Sequence, residues 1–178
     1  MNALFLDRDG VLNVLRQGDY VKHPDELELL PGVAEALRML RPHYDHIFVA
    51  TNQQGIGKGL MTEEDLAAVH TKLQAETGHL IDRIYHCPDL EASRSPYRKP
   101  NIGMALLARR EHPGLRLKSC TMVGDSMTDM LFGRRCGMRT VLIGMGSDVA
   151  TTRPRLVDYH YPTLLDFAQQ TTVILRST

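Results

Sequence analysis

Ala3-Leu4-Phe5-Leu6-Asp7-Arg8-Asp9-Gly10-Val11 is the stretch on which the reading of the chain turns. Four consecutive apolar residues, stopped by a charge, describe a short buried strand. Two carboxylates within three residues follow, and then an Asp-Gly turn signal. Asp7 and Asp9 repel each other unless a cation lies between them. An ordinary strand end with a tight turn would account for the same letters. The chemical alternative is a nucleophilic carboxylate with a neighbouring acid, assisted by a metal ion.

Downstream, short apolar runs alternate with amphipathic helices. Pro31-Gly32 opens a helix in which Val33, Ala36, Leu37 and Leu40 share a face. His46 to Thr51 reads as a buried strand, and Thr62, with Asp65 three residues on, as the N-cap of a helix carrying Leu66, Val69 and Leu73. Ile81 to His86 is a third strand. The proline-rich stretch from Pro88 to Pro100 is a loop, and Asn101 to His112 a helix. Thr121 to Gly124 is a strand, Met127 to Cys136 a helix and Arg139 to Ile143 a strand. The tail from Thr163 to Arg176 has room for a short helix and an edge strand. This alternation predicts an α/β fold, a doubly wound parallel sheet with helices on both faces. Residues 1–178 are expected to form a single domain, with 87–100 as a loop within it.

Composition removes several function classes. The 21 Lys and Arg balance the 21 Asp and Glu, so the formal net charge is zero. A general nucleic-acid binder carries a strongly basic face, and a polybasic membrane anchor needs a surplus of cations. With 43% hydrophobic residues the chain can build a core. No apolar run approaches the roughly 20 residues that span a bilayer. Cys87, Cys120 and Cys136 are an odd, sparse set, better suited to a reducing compartment than to a disulfide framework. The N-terminus lacks the basic start and apolar stretch of a signal peptide, so a cytoplasmic protein is expected.

In parallel sheets, ligands bind beyond the carboxyl ends of the strands. Four polar groups fall at such ends. Asp7 and Asp9 come first. Thr51-Asn52-Gln53-Gln54 offers hydroxyl and amide donors suited to a phosphate, or simply an ordinary turn. Arg98-Lys99-Pro100 places two cations on a loop stiffened by proline. Gly124-Asp125-Ser126 with Asp129 offers oxygen ligands for Mg²⁺, or a helix N-cap at Asp125 with a solvated Asp129. The eight histidines form no spaced ligand pair, and the nine methionines read as core fillers. Lys58 reads equally well as a phosphate contact and as a solvated turn residue.

Together the four groups resemble the motif series of the haloacid dehalogenase superfamily. Asn13, Gly55-Ile56, Lys58-Gly59 and Gly103-Met104 extend the resemblance to the histidinol-phosphate and heptose-bisphosphate phosphatase group. The resemblance implies a Rossmann-like fold without a large cap domain and Mg²⁺-dependent hydrolysis of a sugar phosphate. Asp7 would be the nucleophile and Asp9 the acid and base. Thr51 and Lys99 would hold the phosphoryl group. Asp7, the Asp9 main-chain carbonyl and Asp125 would hold Mg²⁺, with Asp129 orienting its neighbours. Asn52, Gln53, Gln54, Arg98 and Ser126 would face the substrate. Its expected partner is a small phosphorylated sugar or metabolite, with no nucleic acid, no membrane and a monomeric enzyme.

The resemblance breaks in two places. Relatives carry a structural zinc in the loop before Arg-Lys-Pro. Of its four ligand positions only Cys87 matches; Asp89, Ser95 and Tyr97 stand at the others. A closed zinc site needs four ligands, so no structural zinc is expected. Ser126 stands where the heptose enzymes often have Lys, which weakens contact with a second phosphate.

Overall fold

The computed structural model describes residues 1–146 and 148–176, with side chains assigned as far as Thr171. Six strands, β1 (Ala3–Leu6), β2 (His46–Asn52), β3 (Arg83–Cys87), β4 (Thr121–Gly124), β5 (Arg139–Ile143) and β6 (Tyr159–Tyr161), form one sheet ordered β3-β2-β1-β4-β5-β6. Every pairing is parallel. The helices are α1 (Val33–Leu40), α2 (Glu63–Glu76), α3 (Gly103–Glu111), α4 (Met127–Arg135), α5 (Val149–Thr152) and α6 (Leu164–Arg176).

Side chains alternate across the strands, and the core divides accordingly. Leu4, Leu6, Ile47, Val49, Val123 and Val141 face one way and pack against α1, α2 and α6. Ala3, Phe5, Phe48, Ala50 and Met122 face the other way and pack against α3 and α4. The ring of Phe5 meets Phe48 and Phe132 edge-on, with centroids 5.3 and 6.3 Å away. Because both faces are covered, the strands read as continuous apolar runs rather than alternating ones.

Most elements lie where the sequence places them. Thr62 caps α2 in a reciprocal capping box with Asp65. Three readings change. The edge strand is β6, ahead of the tail, and the tail is one helix, α6. The short α5 had no signal in the sequence. The cap of α4 is Ser126, not Asp125, in a capping box with Asp129. Asp129 is therefore not solvated; it is fully buried. Among the described residues no helix is long and apolar enough to cross a membrane.

Candidate active site

Strand order reverses at β1, whose chain successor β2 lies on one side and β4 on the other. Crevices form at such switch points. The backbone puts Asp7 and Asp125 there: the Asp7 amide donates to the Val123 carbonyl of β4 across 2.9 Å. A cleft of about 260 Å³ opens between the strand ends. Asp7, Asp9, Thr51, Asn52, Lys99, Asp125 and Ser126 all line it.

Carboxylate oxygens of Asp7, Asp125 and Asp129 lie within 4.8 Å of one another. Lys99 is the cation among them, its Nζ donating to Asp7 across 2.8 Å and to Asp129 across 2.6 Å. Burial pushes the Asp7 carboxyl up to about 8 against the pull of Lys99, and Asp129 and Asp125 add to the rise. Burial, then Asp129, pushes Asp125 up to about 6. Lys99 resists the burial that would neutralise it, because Asp129 and Asp7 hold it charged. Concentrated carboxylate oxygens whose charges repel are a donor set suited to a hard divalent cation, which binds them in their ionised form. Asp129 has little left to offer: one oxygen takes Lys99 and the other takes the Ser126 amide and hydroxyl.

Asp9 is held differently. Arg8 Nη2 donates to both of its oxygens at 2.9 and 3.0 Å, Asn13 to one and Gln53 to the other. Burial raises the Asp9 carboxyl, but Arg8, Asn13 and Gln53 outweigh it and hold it below the usual range. Its carboxylate is not one of the three acids that cluster.

The remaining expected residues spread out. Asn52 bonds the main chain of Lys99 in both directions, fixing the lysine loop to β2. Gln53 is buried and turned toward Asp9 and Thr51 rather than into the cleft. Gln54 is half-buried in the turn after β2, where its carbonyl takes the Lys58 amide. Arg98 donates to the Asp89 carbonyl and does not line the cleft. Lys58 reaches over the Tyr20 ring, 5.3 Å from its centroid.

Sequence reasoning missed the wall formed by Leu15, Arg16, Asp19, Tyr20 and Val21, and the contribution of Thr128. One available signal was the aperiodic stretch between Asp9 and α1, since long connections in compact domains tend to be functional.

Gly10 shows how close the parts are. Its φ is +85°, and a Cβ there would overlap Asp125 Oδ2. Gly10→Ala is expected to lower kcat/KM by about 100-fold by displacing that carboxylate. Unchanged turnover by the purified variant would show that Asp125 tolerates the shift.

His70 gives a pH prediction. Burial, and then Arg8 and His86, depress it from 6.5 to about 3. Between those values the unfolded chain takes up a proton that the folded chain refuses, so His70 costs stability as pH falls. The stability of His70→Gln relative to the parent is therefore expected to rise from pH 7 to pH 4.5 in denaturant titrations. A constant difference would contradict the burial of a neutral imidazole.

The fold order and the acid pair at its switch point agree with the motif series of the haloacid dehalogenase superfamily. The family model described as HAD-hyrolase-like matches residues 96–167. The heptose-1,7-bisphosphate 7-phosphatase of Mycobacterium bovis is 45% identical over 131 residues, covering 72% of this chain and 69% of its own. That of Campylobacter jejuni is 38% identical over 144 residues, covering 79% and 81%. The crystal structure of the D,D-heptose 1,7-bisphosphate phosphatase of B. bronchiseptica with magnesium and phosphate superposes with a TM-score of 0.85, at 29% identity and full coverage of both chains. The chain belongs to the heptose-bisphosphate phosphatase family of this superfamily, and it is a phosphatase.

Proposed function

We propose that the protein removes the 7-phosphate of D-glycero-D-manno-heptose 1,7-bisphosphate through an aspartyl-phosphate on Asp7. The supporting observation is the arrangement at the switch point, where Asp7 and Asp125 share a cleft with Lys99 between acids. A carboxylate oxygen of Asp7 attacks phosphorus, and the bond from phosphorus to the sugar oxygen breaks. The negative charge of the phosphate brought beside Asp9 raises its carboxyl so that it carries the proton it gives to that oxygen, and the carboxylate left behind takes a proton from the water that attacks the phosphorus of the intermediate. Phosphate leaves and Asp7 is restored. Thr51 and Lys99 hold phosphoryl oxygens, and Asn52 fixes Lys99 in place. Ser126 serves substrate recognition from the cleft lining, Arg98 and Gln54 from outside it, and Gln53 serves through Asp9.

The donor set fits Mg²⁺, which Asp7, Asp125 and the Asp9 main chain would hold. When bound, it offsets repulsion between phosphate and carboxylates. The loop at 87–100 works without zinc. Cys87 Sγ lies 3.6 Å from an Asp89 oxygen and 3.8 Å from Ser95 Oγ, and Asn101 donates to the Ser95 carbonyl. These bonds tie the loop without a fourth ligand. The whole chain acts as one phosphatase unit, and every acid of the cluster comes from a single chain, which supports a monomer. Three buried unpaired thiols support a cytoplasmic setting.

Turnover of heptose 1,7-bisphosphate, histidinol phosphate and fructose 1,6-bisphosphate with Mg²⁺ tests the substrate. The heptose is expected to give the highest kcat/KM, and a preference for histidinol phosphate would overturn the assignment. Chelation with EDTA is expected to abolish activity and Mg²⁺ alone to restore it. Stoichiometric zinc in the purified protein would contradict the reading of the loop.

A further inference from the structure

Among the described residues Arg8 is the largest fully buried side chain, and its grip on Asp9 accounts for only one of its nitrogens. An arginine without exposure needs partners for its charge. One nitrogen, Nη2, grips Asp9 as described. The other, Nη1, meets Nε2 of His70, on α2, at 3.3 Å. Arginine has no lone pair to offer, so Nε2 of His70 is the acceptor and the ring hydrogen sits on Nδ1. A neutral imidazole is the form its buried position favours. His70 stands 6.1 Å from the His86 ring, and His86 in turn is bonded to Glu63 at 2.9 Å.

The choice of acceptor has a consequence. A carboxylate at position 70 would divide the positive charge of Arg8 between two anions. A neutral acceptor satisfies Nη1 and leaves that charge to Asp9. An apolar residue would leave Nη1 buried without a partner and the guanidinium free to turn. We infer that His70 is a positioning residue for the phosphatase reaction, acting through Arg8 to fix the orientation of the Asp9 carboxylate. The inference rests on the assignment of Asp9 as acid and base. It adds a residue, on α2, that touches neither substrate nor metal. Because His70 lies behind Arg8, its loss alters the proton-transfer steps and not the capture of the phosphate.

Steady-state kinetics of His70→Leu, His70→Gln and Asp9→Asn, with thermal melts of each, test this. His70→Leu is expected to lower kcat by about 10-fold with KM unchanged, a size usual for residues that orient a functional group from behind. His70→Gln carries an amide oxygen near the place of Nε2 and is expected to recover most of that loss. A purely structural role would lower the melting temperature of His70→Leu while leaving the kcat of the folded fraction intact, and that result would overturn the inference. So would a Gln variant as impaired as Leu. If His70→Leu does not fold, His70→Asn takes its place, since its shorter amide stops short of the guanidinium and is expected to show the same loss. Full activity in Asp9→Asn would instead overturn the assignment of Asp9 itself. A dead Asp9→Asn beside an unimpaired His70→Leu would overturn the inference alone.

Discussion

Asp7→Asn is expected to lower kcat by at least ~10⁴-fold, the scale seen when a covalent nucleophile is removed. The amide keeps the shape of the side chain but offers phosphorus only a neutral oxygen. Folding is expected to survive. The Asp7 carboxyl is already costly in place, since burial pushes it up to about 8. Lys99 keeps its second partner, Asp129, at 2.6 Å. Thermal melts should therefore show a melting temperature close to that of the parent. Turnover within 10-fold of the parent would remove Asp7 from the nucleophile role. A collapsed melting temperature would show that its charge is needed for folding.

Lys99→Met is expected to cost both activity and stability. The lysine is 3% exposed and bonded to two carboxylates. Breaking a buried ion pair from one side costs roughly 3–5 kcal/mol, because the remaining charge has no partner. Without the ammonium, the Asp7 carboxyl is pushed up beyond its already raised value of about 8. Below pH 8 that carboxyl is protonated with or without Lys99, so the part of the loss that comes from it appears only as pH rises past 8. Urea titrations at pH 9 and pH 6 without added metal should show the larger loss at pH 9. Equal losses would mean that Lys99 acts by packing rather than by charge. Activity should fall as well, since the ammonium lines the cleft beside Asp7, where the proposed mechanism puts the phosphoryl group.

Strand-helix alternation made the central sheet legible, because the inner strands β1, β2 and β4 are covered on both faces and read as apolar runs. The edge escaped that logic. Tyr159-His160-Tyr161 is largely exposed and three residues long, too short for any period. The acids at the strand ends were legible because Asp7 and Asp125 follow directly on apolar runs. Arg8 was not. Between two aspartates it looks like a solvated charge, and its burial depends on His70, 62 positions away. The same holds for Gln53, which looks like a substrate contact in its motif and is turned inward by Asp9. For the cleft wall at Arg16 and Tyr20 the length of the loop was a signal, but which of its residues meet the site is settled by tertiary packing.

Acid quenching of the enzyme during turnover of heptose 1,7-bisphosphate, followed by peptide mapping, is the most direct test of the central claim. The account predicts one phosphoryl group carried on the peptide containing Asp7 and absent from Asp7→Asn. A phosphoryl group mapped to another residue, or turnover at the full rate in the Asn variant, would contradict it.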